Sequence, residues 1–141
     1  MSISLIVHTR NSEETLPKLI SSIGFVDEFI AIDMSSDDQT RQLLEDAGAR
    51  VETIEPDFWR DSLRNPWLQN VSNPWTLVMD SDEYVAADAG EVIRGLVQSA
   101  PKRVSAYALP RYNYCFGKVL TGPRWYPDHQ IRLFRSGSIE Y

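Results

Sequence analysis

The stretch TLVMDSDEYV, residues 76–85, runs mostly apolar strand material straight into Asp80, Asp82 and Glu83. Carboxylates set this close repel one another, so a positive partner is expected beside them. Oxygen ligands of this kind suit a hard divalent cation, Mg²⁺ or Mn²⁺, which takes one or two protein carboxylates and completes its shell with substrate phosphates. An isolated acidic run after a strand is as often a solvated turn or a helix cap. Chemistry at these residues therefore requires other polar groups to converge on them.

The order of elements brings such groups together. Apolar periodicity predicts strands over ISLIVHT (3–9), EFIAIDM (28–34), RVETI (50–54) and WTLVM (75–79). Between them, helical spacing appears in TLPKLISSI (15–23), with Thr15 as the expected cap and Pro17 in the first turn. A second helix is expected over SDDQTRQLLEDAG, with Ser36 and Gln39 as a capping box and Gly48 at its end. A weaker pattern predicts a helix interrupted near Pro66 in WRDSLRNPWLQNV (59–71), and AADAGEVIRGLVQSA (86–100) is expected as the helix after the fourth strand. Strand and helix thus alternate four times, which implies an α/β fold with a mostly parallel sheet covered on both faces. Beyond Pro101 the pattern changes to short extended pieces, AYALPRYNY and QIRLFR.

In such a sheet, ligands bind outside the carboxyl ends of the strands. His8, Thr9, Arg10 and Asn11 follow the first strand, Asp33 the second, and Asp80, Asp82 and Glu83 the fourth. Three chain-distant polar clusters are expected on one rim. Asp37 and Asp38 need no chemistry, since acids favour a helix N-terminus.

Composition bounds the function. The 141 residues, 43% hydrophobic and 24% charged, suffice for one domain with its own core. No apolar run approaches a membrane span, the N-terminus does not read as a secretory signal, and the single Cys115 forms no internal disulfide. A cytoplasmic location is expected, free or at the inner face of the membrane. Residues 1–100 carry 7 Lys+Arg against 18 Asp+Glu, whereas residues 101–141 carry 7 against 2. That basic tail also holds eight aromatic residues. It either packs on the acidic body or meets an anionic partner, a phosphorylated ligand or a membrane surface. The acidic chain as a whole disfavours nucleic acid.

SLIVHTRNSEETLPKLISSI, AIDMSSDDQT and WTLVMDSDEYV resemble successive motifs of family 2 glycosyltransferases with the GT-A fold. LPRYNYCFGKVLTGPRWYPDHQIRLFRSG resembles the branch that adds sugars during lipopolysaccharide core assembly, and Arg64-Asn65 matches a pair preceding its acidic motif. The resemblance implies transfer of a sugar from a nucleotide diphosphate donor, a UDP-sugar foremost, to a saccharide or lipid-linked acceptor. By position, Thr9 and Asn11 would border the nucleotide, Asp33 would bind uracil or ribose, and Asp80 would lie near the ribose. Asp82 would hold a divalent metal, Mn²⁺ or Mg²⁺, and that metal would be the partner the clustered carboxylates require. Residues 1–100 would form the nucleotide-sugar half of a single domain and 101–141 part of the acceptor side. Met34 after Asp33 and Ser12 between Asn11 and Glu13 depart from the usual motifs.

An inverting transfer needs a general base at the acceptor hydroxyl. Asp128, the only acid between Glu91 and Glu140, is the candidate, among Trp125, Tyr126, His129 and Arg132. The alternatives are a simple Pro127-Asp128 turn, or His129 as the base. Trp125 would offer a ring face to a sugar, and Arg124, Arg132 or Arg135 would grip phosphate oxygens or cover the acidic body. Relatives continue beyond the RLFR motif, so donor binding is expected to survive better than catalysis in a chain of this length, and a donor-binding remnant is the second hypothesis. A dehalogenase-like phosphohydrolase wants its Asp-x-Asp on the first strand, and an EF-hand loop wants a third ligand where Tyr84 stands. Both fit poorly.

Overall fold

The computed structural model describes residues 1–56, 64–123 and 125–141. The chain order is β1 (Ile3–Thr9), α1 (Leu16–Ser22), β2 (Glu28–Asp33), α2 (Thr40–Asp46), β3 (Arg50–Thr53), α3 (Asn65–Leu68), β4 (Trp75–Asp80), α4 (Ala89–Ser99), β5 (Ala106–Arg111), β6 (Tyr114–Cys115), β7 (Lys118–Val119) and β8 (Asp128–Arg135). Six strands form one sheet in the order β3-β2-β1-β4-β8-β5, and β6 and β7 pair as a separate hairpin. The four N-terminal strands are parallel, while β8 runs antiparallel to both β4 and β5. The expected mostly parallel α/β sheet is therefore present, and the basic tail extends it rather than lying apart from it.

Burial on both faces explains the strand sequences. Ile3, Leu5 and Val7 alternate to one side with Trp75 and Leu77, over Leu16, Leu19 and Val97 of the helices. Ile6, Ile30, Ile32 and Val78 alternate to the other, with Leu68 and Phe134. A strand buried on both faces has no room for the polar-out pattern of an exposed sheet. Trp75 is fully buried, stacks on Tyr107 at 5.6 Å and lies under the Arg135 guanidinium at 4.8 Å.

The helix starts differ from expectation in their chemistry. Thr15 does precede α1, and Pro17 does fall in its first turn, but the Thr15 hydroxyl donates to the Ser12 carbonyl instead of capping the helix. The Ser36–Gln39 capping box does not form. Ser36 is drawn to Asp33, and the Gln39 amide donates to Glu13 Oε2 at 3.0 Å, so a loop across the rim supplies the cap. Gly48, at φ +77°, ends the α2 segment as its freedom at positive φ allows. Of the helix expected over 59–71, only Asn65–Leu68 is seen as α3, and 59–63 lie outside the described residues.

Candidate active site

The register fixes the rim. Thr9 pairs with Asp33 and His8 with Asp80, so the polar residues ending β1, β2 and β4 stand side by side. Asp33 is buried and its carboxylate is already engaged: Thr9 Oγ1 donates to it at 3.1 Å, the Ser36 amide at 3.1 Å and the Ser36 hydroxyl at 2.5 Å. Asn11 sits at φ +44°, a conformation asparagine tolerates better than most residues, and its Oδ1 accepts from the Asp37 amide at 3.0 Å. Ser12 and Ser81 share a hydrogen bond of 2.8 Å that ties the β1 loop to the acidic loop.

Beyond β4, Asp80 and Glu83 lock the turn onto itself. The Glu83 amide donates to the Asp80 carbonyl and the Asp80 amide to Glu83 Oε2, each at 3.0 Å. Their positive partners are arginines, which corrects the expectation that a metal alone compensates the cluster. Arg64 Nη2 lies 2.6 Å from Asp80 Oδ1, and Arg132 Nη2 lies 2.8 Å from Asp80 Oδ2 and 2.7 Å from Glu83 Oε1. Burial works to raise the Asp80 carboxyl, but the charges and hydrogen bonds of Arg132 and Arg64 outweigh it and hold the carboxyl below the ordinary range. Arg64 also donates to His8 Nδ1 at 3.1 Å.

A register shift explains how Arg132 reaches inward. Tyr107 pairs with Leu133 and Ala108 with Ile131, which leaves Arg132 as the extra residue of a β-bulge. Bulges re-aim a side chain in this way. Arg135 turns elsewhere, donating to the Val104 carbonyl at 2.9 Å and covering Trp75, so its role is structural. Arg124 lies outside the described residues.

At the far end of the rim, Asp128 faces Arg111 across the β5–β8 pair. Arg111 Nε and Nη2 lie 3.0 and 2.7 Å from Asp128 Oδ2, Asn113 donates to the same oxygen at 3.1 Å, and Gln130 donates to Oδ1 at 2.8 Å. Hydrogen bonds from Asn113, Gln130 and Arg111 lower its pKa to about 2. Arg111 Nη1 also lies 3.1 Å from Glu83 Oε1. Arg111, Asn113 and Gln130 are not among the expected site residues, although Asp128 and Gln130 show the two-residue spacing of one strand face. Trp125 is half exposed, His129 is exposed, and Tyr112 stacks on Tyr126 at 4.2 Å.

Asp82 differs from its neighbours. It is exposed, and its side chain has no ion-pair or hydrogen-bond partner among the described residues. Among those residues no three His, Cys, Asp or Glu are grouped to hold an ion by themselves. One open carboxylate fits an ion that arrives with phosphate ligands, not one caged by protein.

The profile of Glycosyl transferase family 2 matches residues 4–139. The chain belongs to that family. Glycosyltransferase AglJ of Haloferax volcanii is 31% identical over 101 residues, 69% of this chain and 33% of AglJ. Among solved structures, S. aureus TarS 1–349 in complex with UDP-GlcNAc superposes with a TM-score of 0.73 at 19% identity, covering 96% of this chain and 46% of TarS. Glucosyl-3-phosphoglycerate synthase from Mycobacterium tuberculosis, in complex with Mn²⁺, UDP and glucosyl-3-phosphoglycerate, superposes at 0.57 with 21% identity, covering 74% and 42%. The fold is GT-A. The chain spans less than half the length of each of these proteins.

Proposed function

We propose that this chain binds a nucleotide diphosphate sugar, a UDP-sugar foremost, at the carboxyl-end rim and transfers the sugar, with inversion, to a saccharide or lipid-linked acceptor of the lipopolysaccharide-core kind. The observation that carries this reading is the convergence of one open carboxylate, Asp82, with a line of guanidinium groups running to Asp128. Family membership and relatives crystallised with UDP-GlcNAc or with UDP and Mn²⁺ support it.

Thr9, Asn11 and Asp33 border the nucleotide, with Asp33 held rigid by Thr9 and Ser36. Arg64 orients Asp80 toward the ribose, and Arg132 faces the phosphates. A Mn²⁺ or Mg²⁺ ion held by Asp82 and the donor would offset the charge of the departing diphosphate as a Lewis acid. On the acceptor side, Trp125 offers a ring face to the sugar. The acceptor hydroxyl attacks the anomeric carbon as the sugar–phosphate bond breaks, and its proton passes to Asp128. Oδ1 is the oxygen for that proton, since it accepts from Gln130 alone while Arg111 and Asn113 crowd Oδ2. Residues 1–100 form the donor half and 101–141 part of the acceptor half of one domain. The aromatic, basic tail meets the membrane that carries a lipid-linked acceptor, at its cytoplasmic face. Among the described residues, no helix is long and apolar enough to cross a membrane.

A second reading, donor binding without transfer, is favoured by one observation. Asp128, with its pKa lowered to about 2, is a weak proton acceptor as it stands. Incubating the chain with UDP-glucose, UDP-galactose or UDP-GlcNAc, Mn²⁺ and a truncated lipopolysaccharide core separates the two. Labelled acceptor supports transfer, and donor binding without labelled acceptor supports the second reading.

A further inference from the structure

Six side chains form one unbroken line of alternating charge: Arg64, Asp80, Arg132, Glu83, Arg111, Asp128. The successive nitrogen–oxygen distances are 2.6, 2.8, 2.7, 3.1 and 2.7 Å. The line joins the end of β4, where the donor reading puts nucleotide, to the start of β8, where it puts the acceptor. Its members come from four separate parts of the chain, so neither local sequence nor capping explains it.

Two links are shared. Arg132 divides one guanidinium nitrogen between Asp80 and Glu83, and Arg111 divides its guanidinium between Glu83 and Asp128. Glu83 Oε1 in turn accepts from both arginines. A shared link responds to a change in its neighbour: if an anion draws Arg132 away from Glu83, Arg111 becomes the one cation left on Glu83 among the described residues, and Glu83 competes harder for it. Arg111 then leans from Asp128 toward Glu83. Charge-assisted hydrogen bonds in a partly desolvated site make such competition count. Arg132 is the member placed for this, with its side chain only 13% exposed and its Nε buried without a hydrogen-bond partner among the described residues.

We propose that Arg111 is a positioning residue for Asp128, and that Glu83 couples it to the donor, so that a bound nucleotide diphosphate loosens the Arg111–Asp128 pair and frees Asp128 to accept the acceptor's proton. The proposal rests on the donor site described above. It eases the conflict between a carboxylate held by three residues and its assignment as general base: Arg111, the one charged member of the clamp, lets go when donor is bound, while Asn113 and Gln130 keep the carboxylate in place. Asp128 then gains basicity only when there is a sugar to transfer.

The pair can be read directly at neutral pH through the Arg111 Nε–H group, which donates to Asp128. Its NMR signal is assigned by its loss in Arg111→Lys. In the full chain, saturating UDP with Mg²⁺ is expected to speed exchange of this proton with water by about tenfold or more as the hydrogen bond loosens. In Glu83→Gln, which keeps an acceptor for the Asp80 amide and so preserves the turn, UDP should still bind and the speeding should vanish. In transfer assays Arg111→Gln should leave donor KM within about twofold and change the acidic limb of the kcat–pH profile, a split that a merely structural role would not produce. Calorimetry run in parallel keeps the two claims apart. Heat from UDP without any change at Arg111 overturns the coupling alone, whereas no heat from UDP or GDP overturns the donor site and the coupling with it.

Discussion

Arg111 and Asp128 are register partners across β5 and β8, and two nitrogens of the one grip a single oxygen of the other at 3.0 and 2.7 Å. The proposed base is thus held by the same strand pairing that joins the basic tail to the sheet. Its basicity and its position are set together.

Replacing Asp128 with Asn keeps the shape and removes the proton acceptor. UDP affinity should stay within about twofold, while transfer to an acceptor falls on the order of 10²–10⁴-fold. Normal turnover in Asp128→Asn would remove it as the base and direct attention to His129.

Asp82→Ala removes the open carboxylate and touches no ion pair among the described residues. Its circular dichroism and melting temperature should match the parent, and the Mn²⁺-dependent part of UDP binding should disappear. Unchanged Mn²⁺-dependent affinity would show that the ion is held elsewhere.

Acid should weaken the fold through the same network. The folded-state pKa of Asp128 is lowered from 3.8 to about 2 by Asn113, Gln130 and Arg111, so its contribution is present above about 4 and is lost as the pH falls toward 2. Asp80, also lowered, adds to the loss in the same direction. The urea midpoint should therefore drop between pH 5 and pH 3, and drop less in Arg111→Gln. An equal drop in both would mean that Arg111 does not hold Asp128 in solution.

Trp75→Ala tests the core under the site. Loss of a fully buried indole stacked on Tyr107 should cost about 3–5 kcal/mol in urea unfolding, through lost transfer energy and the cavity left behind. A cost under about 1 kcal/mol would mean that the two halves of the chain do not share this core.

The sheet was legible because strands buried on both faces and helices of fixed period leave their marks in local sequence. Asp33, Asp80 and Asp82 could be found because they directly follow such strands. Arg111 could not, since its partner is 17 positions away and only the antiparallel register of β5 and β8 joins them. The bulge that turns Arg132 toward Asp80 likewise depends on pairing, which no single strand records. The expected capping box at Ser36 failed for a related reason: Asp33, buried and needing donors, won the serine. The question posed by three adjacent acids has a divided answer in the fold, with arginines for Asp80 and Glu83 and an open carboxylate at Asp82.

The central claim, a nucleotide diphosphate site at this rim, is tested most directly by calorimetric titration of the 141-residue chain with UDP, in Mn²⁺ and again after EDTA. The account predicts saturable binding with Mn²⁺ that weakens at least about tenfold on chelation. Binding that is indifferent to metal, or silence with UDP, GDP, CMP and TDP alike, would contradict it.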